Sequence, residues 1–349
     1  MTSRRGSRRS IARAGRLSLL LVLAYGTAAS LLFAACSDSP AATDPQGPRA
    51  DTTNTVWWTM FILAAVIFVG VMVLYAIALL RRREARPAAD TVAEHDPRWG
   101  VGLILGGGLV FPVIVLAVLM VLSIGAIHDL TGDAGDDPLE VTVVAHDWWW
   151  EFRYGDGVVT ANELHIPAGE RVQLHGQTAD VIHSFWVPQL AGKVDLISGL
   201  NRDFVIEADE PGTYRGQCAE FCGVQHAHMA IFVVAQPRAE FDQWLAAQRQ
   251  PAAQPTGTAL DGQELFLGLS CKSCHAISGT PADGRVGPDL THLAARETIA
   301  AGTVPVDREH LTQWILDPGA YKPGANMPAF GSLDPASLDA LVTYLLSLE

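Results

Sequence analysis

Two apolar stretches without a charged residue, Val56 to Leu80 and Val101 to Ile127, constrain this chain more than anything else in it. At about 1.5 Å per helical residue, each is long enough to cross a hydrocarbon core of roughly 30 Å. A lipid-exposed backbone must satisfy its own polar groups, so such stretches are read as helices, here a transmembrane hairpin over residues 50–130. The short loop between them carries Arg81, Arg82, Arg83, Arg86 and Arg98. Arginine-rich short loops stay in the cytoplasm, which puts both ends of the hairpin outside. Trp57 and Trp58 then sit at the outer interface, where aromatic rings collect.

A third apolar run, Leu17 to Ala35, follows six arginines (Arg4, Arg5, Arg8, Arg9, Arg13, Arg16) and ends in Phe33-Ala34-Ala35-Cys36. That is the pattern of a cleaved signal peptide over residues 1–36, with a retained third span as the alternative. Cys36 resembles the lipidated cysteine of bacterial lipoproteins, although Phe33 stands where leucine is usual; a buried thiol is the other reading. Charge is uneven: residues 1–128 hold 12 Lys+Arg against 7 Asp+Glu, and residues 129–349 hold 12 against 30. A formal charge near −18 excludes a nucleic-acid partner for the second part and suits a basic one.

The remaining four cysteines fall in two clusters. In Cys271-Lys272-Ser273-Cys274-His275 two thiols and an adjacent histidine have the spacing of a c-type haem attachment, two thioethers and an iron ligand. Met327 is the one methionine in the segment 259–349 and the expected sixth ligand, with His292 and His310 as competitors. The other cluster reads Gln217-Cys218-Ala219-Glu220-Phe221-Cys222, followed by His226 and Met229. Thiolate, imidazole and thioether form a copper-type ligand set. Zinc and a local disulfide fit CxxxC as well, but neither accounts for Met229. His183, in His183-Ser184-Phe185-Trp186-Val187-Pro188, lies about 35 residues before Cys218 and could close a site between a strand and a loop. Around these residues, short β-rich runs such as Leu139 to Ala145, Arg171 to Leu174 and His228 to Val234 argue for an antiparallel sandwich or barrel over residues 138–245.

Taken together, the hairpin, the aromatic run His146-Asp147-Trp148-Trp149-Trp150-Glu151-Phe152, the HSFWVP segment and GQCAEFCGVQHAHM resemble subunit II of the haem-copper cytochrome c oxidases over roughly residues 50–245. The resemblance implies a cupredoxin-like Greek-key β-barrel and a binuclear copper centre. Its side-chain ligands would be His183, Cys218, Cys222, His226 and Met229, with the backbone carbonyl of Glu220 completing the set. It further implies a magnesium site at the Glu220 carboxylate, shared with subunit I, and leaves His228 as a bystander. Trp148 matches the aromatic residue where electrons enter in relatives with a soluble donor; a packed hydrophobic anchor is the alternative. Relatives usually carry a glutamate near the start of the second span, at a proton path. Trp99 to Gly108 contains no acid, so Glu94 or Asp96 would have to substitute.

Residues 246–258, rich in Pro, Ala and Gln, read as a semi-flexible tether. Residues 259–349 resemble an all-α class I cytochrome c domain. Helices are expected over Asp261 to Leu269 and Asp307 to Leu316, and at the end of the chain, where Leu338, Leu341, Val342, Leu345 and Leu348 form an apolar face after an Asp334 N-cap and Pro335. The resemblance therefore implies a bacterial membrane protein with its copper and haem domains outside. It would take electrons at a covalent haem c, pass them to the copper pair and deliver them to subunit I, beside a subunit III, for oxygen reduction. The rivals are the similar subunit of a nitric oxide reductase and a membrane-tethered copper-binding protein.

Overall fold

The computed structural model describes residues 41–84 and 97–349; the signal segment, Cys36, Arg86, Glu94 and Asp96 lie outside the described residues. Helix α1 (Pro48–Glu84) and helices α2 (Pro97–Leu105) and α3 (Phe111–Leu130) carry the apolar stretches. One π-helical turn, Gly106–Val110, joins α2 to α3. Pro112 has no N–H to return to the preceding turn, which favours a locally widened ladder there. Windows within Pro48–Leu80 and Gly100–Leu130 are long and apolar enough to cross a membrane, and no residue of those windows is buried. Their exposed Leu, Ile, Val and Phe side chains suit lipid, which replaces the missing protein contacts.

The helices α1 and α3 pack on each other. Arg49, at the start of α1, donates to the carbonyls of Leu130 and Gly132 at the end of α3, so the hairpin is tied at one end. The same end is stitched to the β domain: Gln46 N–H donates to Gln189 O at 2.7 Å, Ala50 N–H to Leu190 O at 3.2 Å, and Gln46 O accepts from Asp209 N–H at 2.9 Å.

The β domain has strands β1 (Leu139–His146), β2 (Trp149–Tyr154), β3 (Val159–Ala161), β4 (Glu163–Pro167), β5 (Val172–Thr178), β6 (His183–Phe185), β7 (Val194–Leu196), β8 (Arg202–Ile206), β9 (Gly212–Gln217) and β10 (Ala230–Gln236). They form a five-stranded sheet ordered β3-β2-β1-β5-β8, a three-stranded sheet β4-β10-β9 and the pair β6-β7. The expected antiparallel arrangement needs correction at two places, because β1 runs parallel to β5 and β4 parallel to β10. Each pair is separated in sequence by other strands, which supplies the crossover that parallel pairing demands. Alternating side chains Val141, Val143 and Ala145 of β1 enter a core with Trp150, Phe152, Leu174 and Ile231. The two-span, cupredoxin-like and helical fold class read from the sequence is the one observed.

Helix α4 (Arg238–Gln248) covers the end of the β domain through Phe241, and a helical unit follows: α5 (Thr258–Gly268), the turn Cys271–Cys274, α6 (Arg308–Leu316) and α7 (Pro335–Leu345). The helices α5 and α7 cross at Gly262, where a Cβ would collide with the Ala340 carbonyl, and Phe266 meets Tyr344 edge-on at 6.0 Å. The segment before α5 is less free than its composition suggests. Ala252 is buried and its N–H donates to Ser278 O at 3.1 Å, while Gln250 O accepts from His292 Nε2 at 3.0 Å. Small Ala and Pro side chains fit closely against a neighbouring surface, so a low-complexity run can still be anchored.

Candidate metal and haem sites

His183 opens β6 and is fully buried; Cys218 follows β9; Cys222, His226 and Met229 come from the loop that leads into β10. Sheet pairing therefore fixes both ends of the site, and the loop closes it. Cys218 Sγ lies 3.9 Å from His183 Nδ1, 3.8 Å from Cys222 Sγ and 3.2 Å from the Glu220 carbonyl oxygen. Cys222 Sγ lies 3.7 Å from His226 Nδ1 and 3.9 Å from Met229 Sδ. With metal–sulfur bonds of about 2.3 Å and tetrahedral angles, neighbouring ligand atoms stand roughly 3.8 Å apart, so these separations are those of donors arranged around metal. A disulfide would need sulfurs at about 2.05 Å, and both thiols are free. The six convergent donors fit soft-ligand copper chemistry, in which thioether and thiolate coordinate together.

The pair Cys218 and Cys222 shares its hydrogen-bonding capacity. The Cys222 thiol and the His183 ring stabilise a thiolate at Cys218 and lower its pKa, whereas Cys222 beside that charge is raised. Burial disfavours a charged His183, but the Cys218 thiolate and Asp180 outweigh it, and the net shift is upward. Nothing in the sequence singles out Asp180. Its Oδ1 sits 2.8 Å from His183 Nε2, and its Oδ2 accepts from the Asp147 N–H at 2.7 Å. A carboxylate on the outer ring nitrogen fixes imidazole orientation, leaving Nδ1 for the metal. The signal available is an acid three residues before a ligand histidine, which alone is too common to use. His228 turns away, its Nδ1 2.9 Å from Gln225 Oε1.

A second site is a cavity of about 350 Å³ lined by Cys271, Cys274, His275 and Met327 together with apolar side chains such as Phe266, Ile315 and Leu341. His275 Nδ1 is 2.7 Å from the Pro288 carbonyl, which orients the ring and leaves Nε2 as the metal-binding nitrogen. Gly287 is needed beside it, since a Cβ there would lie 2.6 Å from His275 Cε1. His292 has Nδ1 2.7 Å from a Glu349 main-chain oxygen and Nε2 3.0 Å from the Gln250 carbonyl, and His310 Nδ1 is 2.7 Å from Asp307 Oδ2; neither lines the cavity. Two cations do line it, Arg296 and Lys322, and among the described residues neither meets a carboxylate at ion-pair distance. An apolar cavity with two thiols, a histidine, a methionine and the unmatched guanidinium of Arg296, while Lys322 is tied to the Trp148 carbonyl, fits a covalently held haem that brings its own carboxylates.

Trp148 belongs to both sites. Its Nε1–H donates to the Cys222 carbonyl at 2.8 Å, its ring covers Gly223, and it lines the cavity. Further contacts hold the helical unit on the β domain. Glu163 Oε1 accepts from the N–H groups of Glu297 and Thr298 at 3.0 and 3.1 Å, and Ala230 N–H donates to Ala301 O at 3.1 Å. Burial raises the Glu163 pKa, and the two N–H donors oppose that shift. Glu220 is partly buried, next to the copper-type cage.

The sequence profile described as cytochrome c oxidase subunit II, periplasmic domain, matches residues 157–236, and that of cytochrome c matches residues 259–349. Cytochrome c oxidase subunit 2 of Alkalihalophilus pseudofirmus is 35% identical over 317 residues, covering 88% of this chain and 90% of that protein. The protein of the same name from Bacillus subtilis is 32% identical over 358 aligned residues, covering 96% of this chain and 98% of the relative. Among solved structures, the periplasmic domain of subunit II of the Bradyrhizobium japonicum cytochrome oxidase is 25% identical with a TM-score of 0.32, covering 34% of this chain and 97% of that one.

Proposed function

Because the chain belongs to the cytochrome c oxidase subunit II family and carries a cytochrome c domain, we propose that it is the electron-input subunit, passing electrons from residues 259–349 through residues 138–245 to subunit I. The observation that carries this route is Trp148, which is hydrogen-bonded to the backbone of Cys222 and is a wall of the cavity that holds Cys271, Cys274 and His275. Loaded, the two sites would supply a covalent haem iron and copper, both reversible one-electron carriers.

His183, Cys218, Cys222, His226 and Met229 would hold the copper ions, with the Glu220 carbonyl as sixth donor. Six donors exceed the four that one tetrahedral ion takes, which supports a site that would hold two ions. Asp180 holds the His183 ring in its binding orientation. Cys271 and Cys274 would anchor the haem, and His275 and Met327 would bind its iron. Trp148 keeps water out between the sites and joins them. The carboxylate of the partly buried Glu220 is the magnesium ligand at the boundary with subunit I. Both domains face outward from the membrane, subunit III completes the assembly, and the donor is a basic cytochrome. Oxygen chemistry belongs to subunit I, which also separates this reading from a nitric oxide reductase; the curated relatives that cover most of the chain are named as oxidase subunits.

Metal analysis and spin resonance of the purified chain test the reading. Two coppers and one haem per chain are expected, with a mixed-valence signal of many hyperfine lines. Cys218→Ser or Cys222→Ser should abolish that signal while leaving the haem spectrum intact, since a hydroxyl cannot replace a bridging thiolate. One zinc per chain with no copper uptake would sink it.

A further inference from the structure

The loop from Lys322 to Met327 touches the β domain three times. Lys322 Nζ donates to the Trp148 carbonyl at 2.9 Å, Asn326 Nδ2 donates to the Asp147 carbonyl at 3.1 Å, and the Pro323 carbonyl accepts from Gln225 Nε2. Gln225 is 2% exposed and lies in the loop between Cys222 and His226. The loop that presents Met327 to the haem cavity is thereby fastened to the segments that frame the copper cage. A change at either site must be felt by the other through these hydrogen bonds.

Lys322 is unusual among these contacts. It is 4% exposed, lines the cavity, and uses one of its three N–H donors on the Trp148 carbonyl, with no carboxylate at ion-pair distance among the described residues. Burying a cation without a paired anion is costly, and an apolar side chain of the same length would fill the space without that cost. Burial lowers its pKa to about 8, which leaves the group charged at neutral pH. A fixed positive charge between two one-electron sites has an electrostatic consequence. Reduction adds negative charge next to the ammonium, which stabilises the reduced form.

We infer that Lys322 is the positioning residue for electron exchange between the two sites: it locks the Met327 loop onto Trp148, and its ammonium holds the haem potential up. The inference rests on the haem and copper reading above. The step it serves transfers one electron, oxidising a ferrous iron to ferric and reducing the copper pair by one, with no bond made and no proton moved.

The test uses the full chain, loaded with both cofactors, as parent, Lys322→Met, Lys322→Arg and Gln225→Ala. Redox titration of Lys322→Met should show the ferrous-to-ferric ratio at a fixed potential falling about tenfold, a shift of about 59 mV for a one-electron couple. Its near-infrared sulfur-to-iron band should persist, and Lys322→Arg, which keeps the charge, should restore the potential. Gln225→Ala touches the loop but not the cavity; it should slow exchange between the sites after rapid reduction of the haem and leave the potential unchanged. A potential unmoved in Lys322→Met, or equally lowered in Lys322→Arg, overturns the electrostatic role, and an unchanged exchange rate in Gln225→Ala overturns the positioning role. Should Lys322→Met fail to retain haem, the Arg and Gln225 variants decide. Absence of copper or haem signals in the parent would instead overturn the proposed function.

Discussion

Single residues around the copper-type cage divide into those that offer a donor atom and those that hold the donors in place. Cys218, Cys222, His226 and Met229 stand out in the sequence because soft ligands at short spacing are rare by chance, whereas His183, 35 positions earlier, is brought to them by β6. Asp180 does not stand out, because a surface acid is common and its role exists only once β6 brings His183 beside it at 2.8 Å. Asp180→Ala should lower copper affinity by about 10 to 100-fold, read by competition with a chelator, while the fold is retained. The haem cavity shows the same division, with CxxCH plain in the sequence and the Pro288 carbonyl behind His275 visible only in three dimensions. Acid sensitivity also belongs to this scale. Burial against Trp244, whose ring stacks at 4.0 Å, pushes His165 down to about 4, with the hydrogen bond to Gln236 opposing. A histidine whose folded pKa lies below its unfolded value of about 6.5 contributes stability above pH 6.5 that is lost as pH falls toward 4. In His165→Gln that loss, on the order of 3 kcal/mol, should be missing from the difference between unfolding curves at pH 7 and pH 4. Glu151, held at about 2 by His146 and Arg153 against burial, acts in a lower window, from about 4.5 downward.

At the scale of elements, the helices followed their signals more closely than the strands did. Asp334 caps α7 by accepting from the N–H groups of Ala336 and Ser337, and Pro335 takes the first helical position. Local chemistry decides such an end, so it can be read from four residues. Asp334→Ala should cost about 1 kcal/mol, seen as a lower melting temperature of the haem domain. The parallel pairings β1 with β5 and β4 with β10 could not be read this way, because period-two alternation reports which face is buried and not the direction of the neighbour. The tether departs from its composition for a related reason. Pro, Ala and Gln have little to bury by themselves, yet Ala252 is buried and hydrogen-bonded to Ser278, a contact across the chain that composition does not encode. The Met327 loop adds a further case: Met327 stands out as the one methionine of residues 259–349, and nothing local marks Lys322 as the residue that reaches Trp148.

For the molecule as a whole, charge and architecture bear on how electrons arrive. The apolar hairpin suits lipid, the β domain is stitched to one end of it through Gln46 and Ala50, and the helical unit is fastened over Trp148. Trp148 thus lies against residues 259–349, and the basic donor proposed above would be received on the surface of those residues. Residues 129–349 carry 30 Asp+Glu against 12 Lys+Arg, an excess that attracts a basic cytochrome from beyond contact distance and speeds encounter. Steering of this kind fades when charges are separated by more than a Debye length, about 8 Å at physiological salt. The acidity could serve solubility alone, and the two roles differ in one measurable respect. Reduction of the haem by a lysine-rich cytochrome in a stopped-flow experiment should slow steeply as ionic strength rises from about 10 mM to about 1 M, across which the Debye length shrinks from about 30 to about 3 Å. A flat dependence would place the docking patch on apolar surface and leave the charge to solubility. The same experiment with Trp148→Phe should leave the reception rate unchanged and slow only the later exchange with copper, because the donor meets the haem domain before the indole is involved.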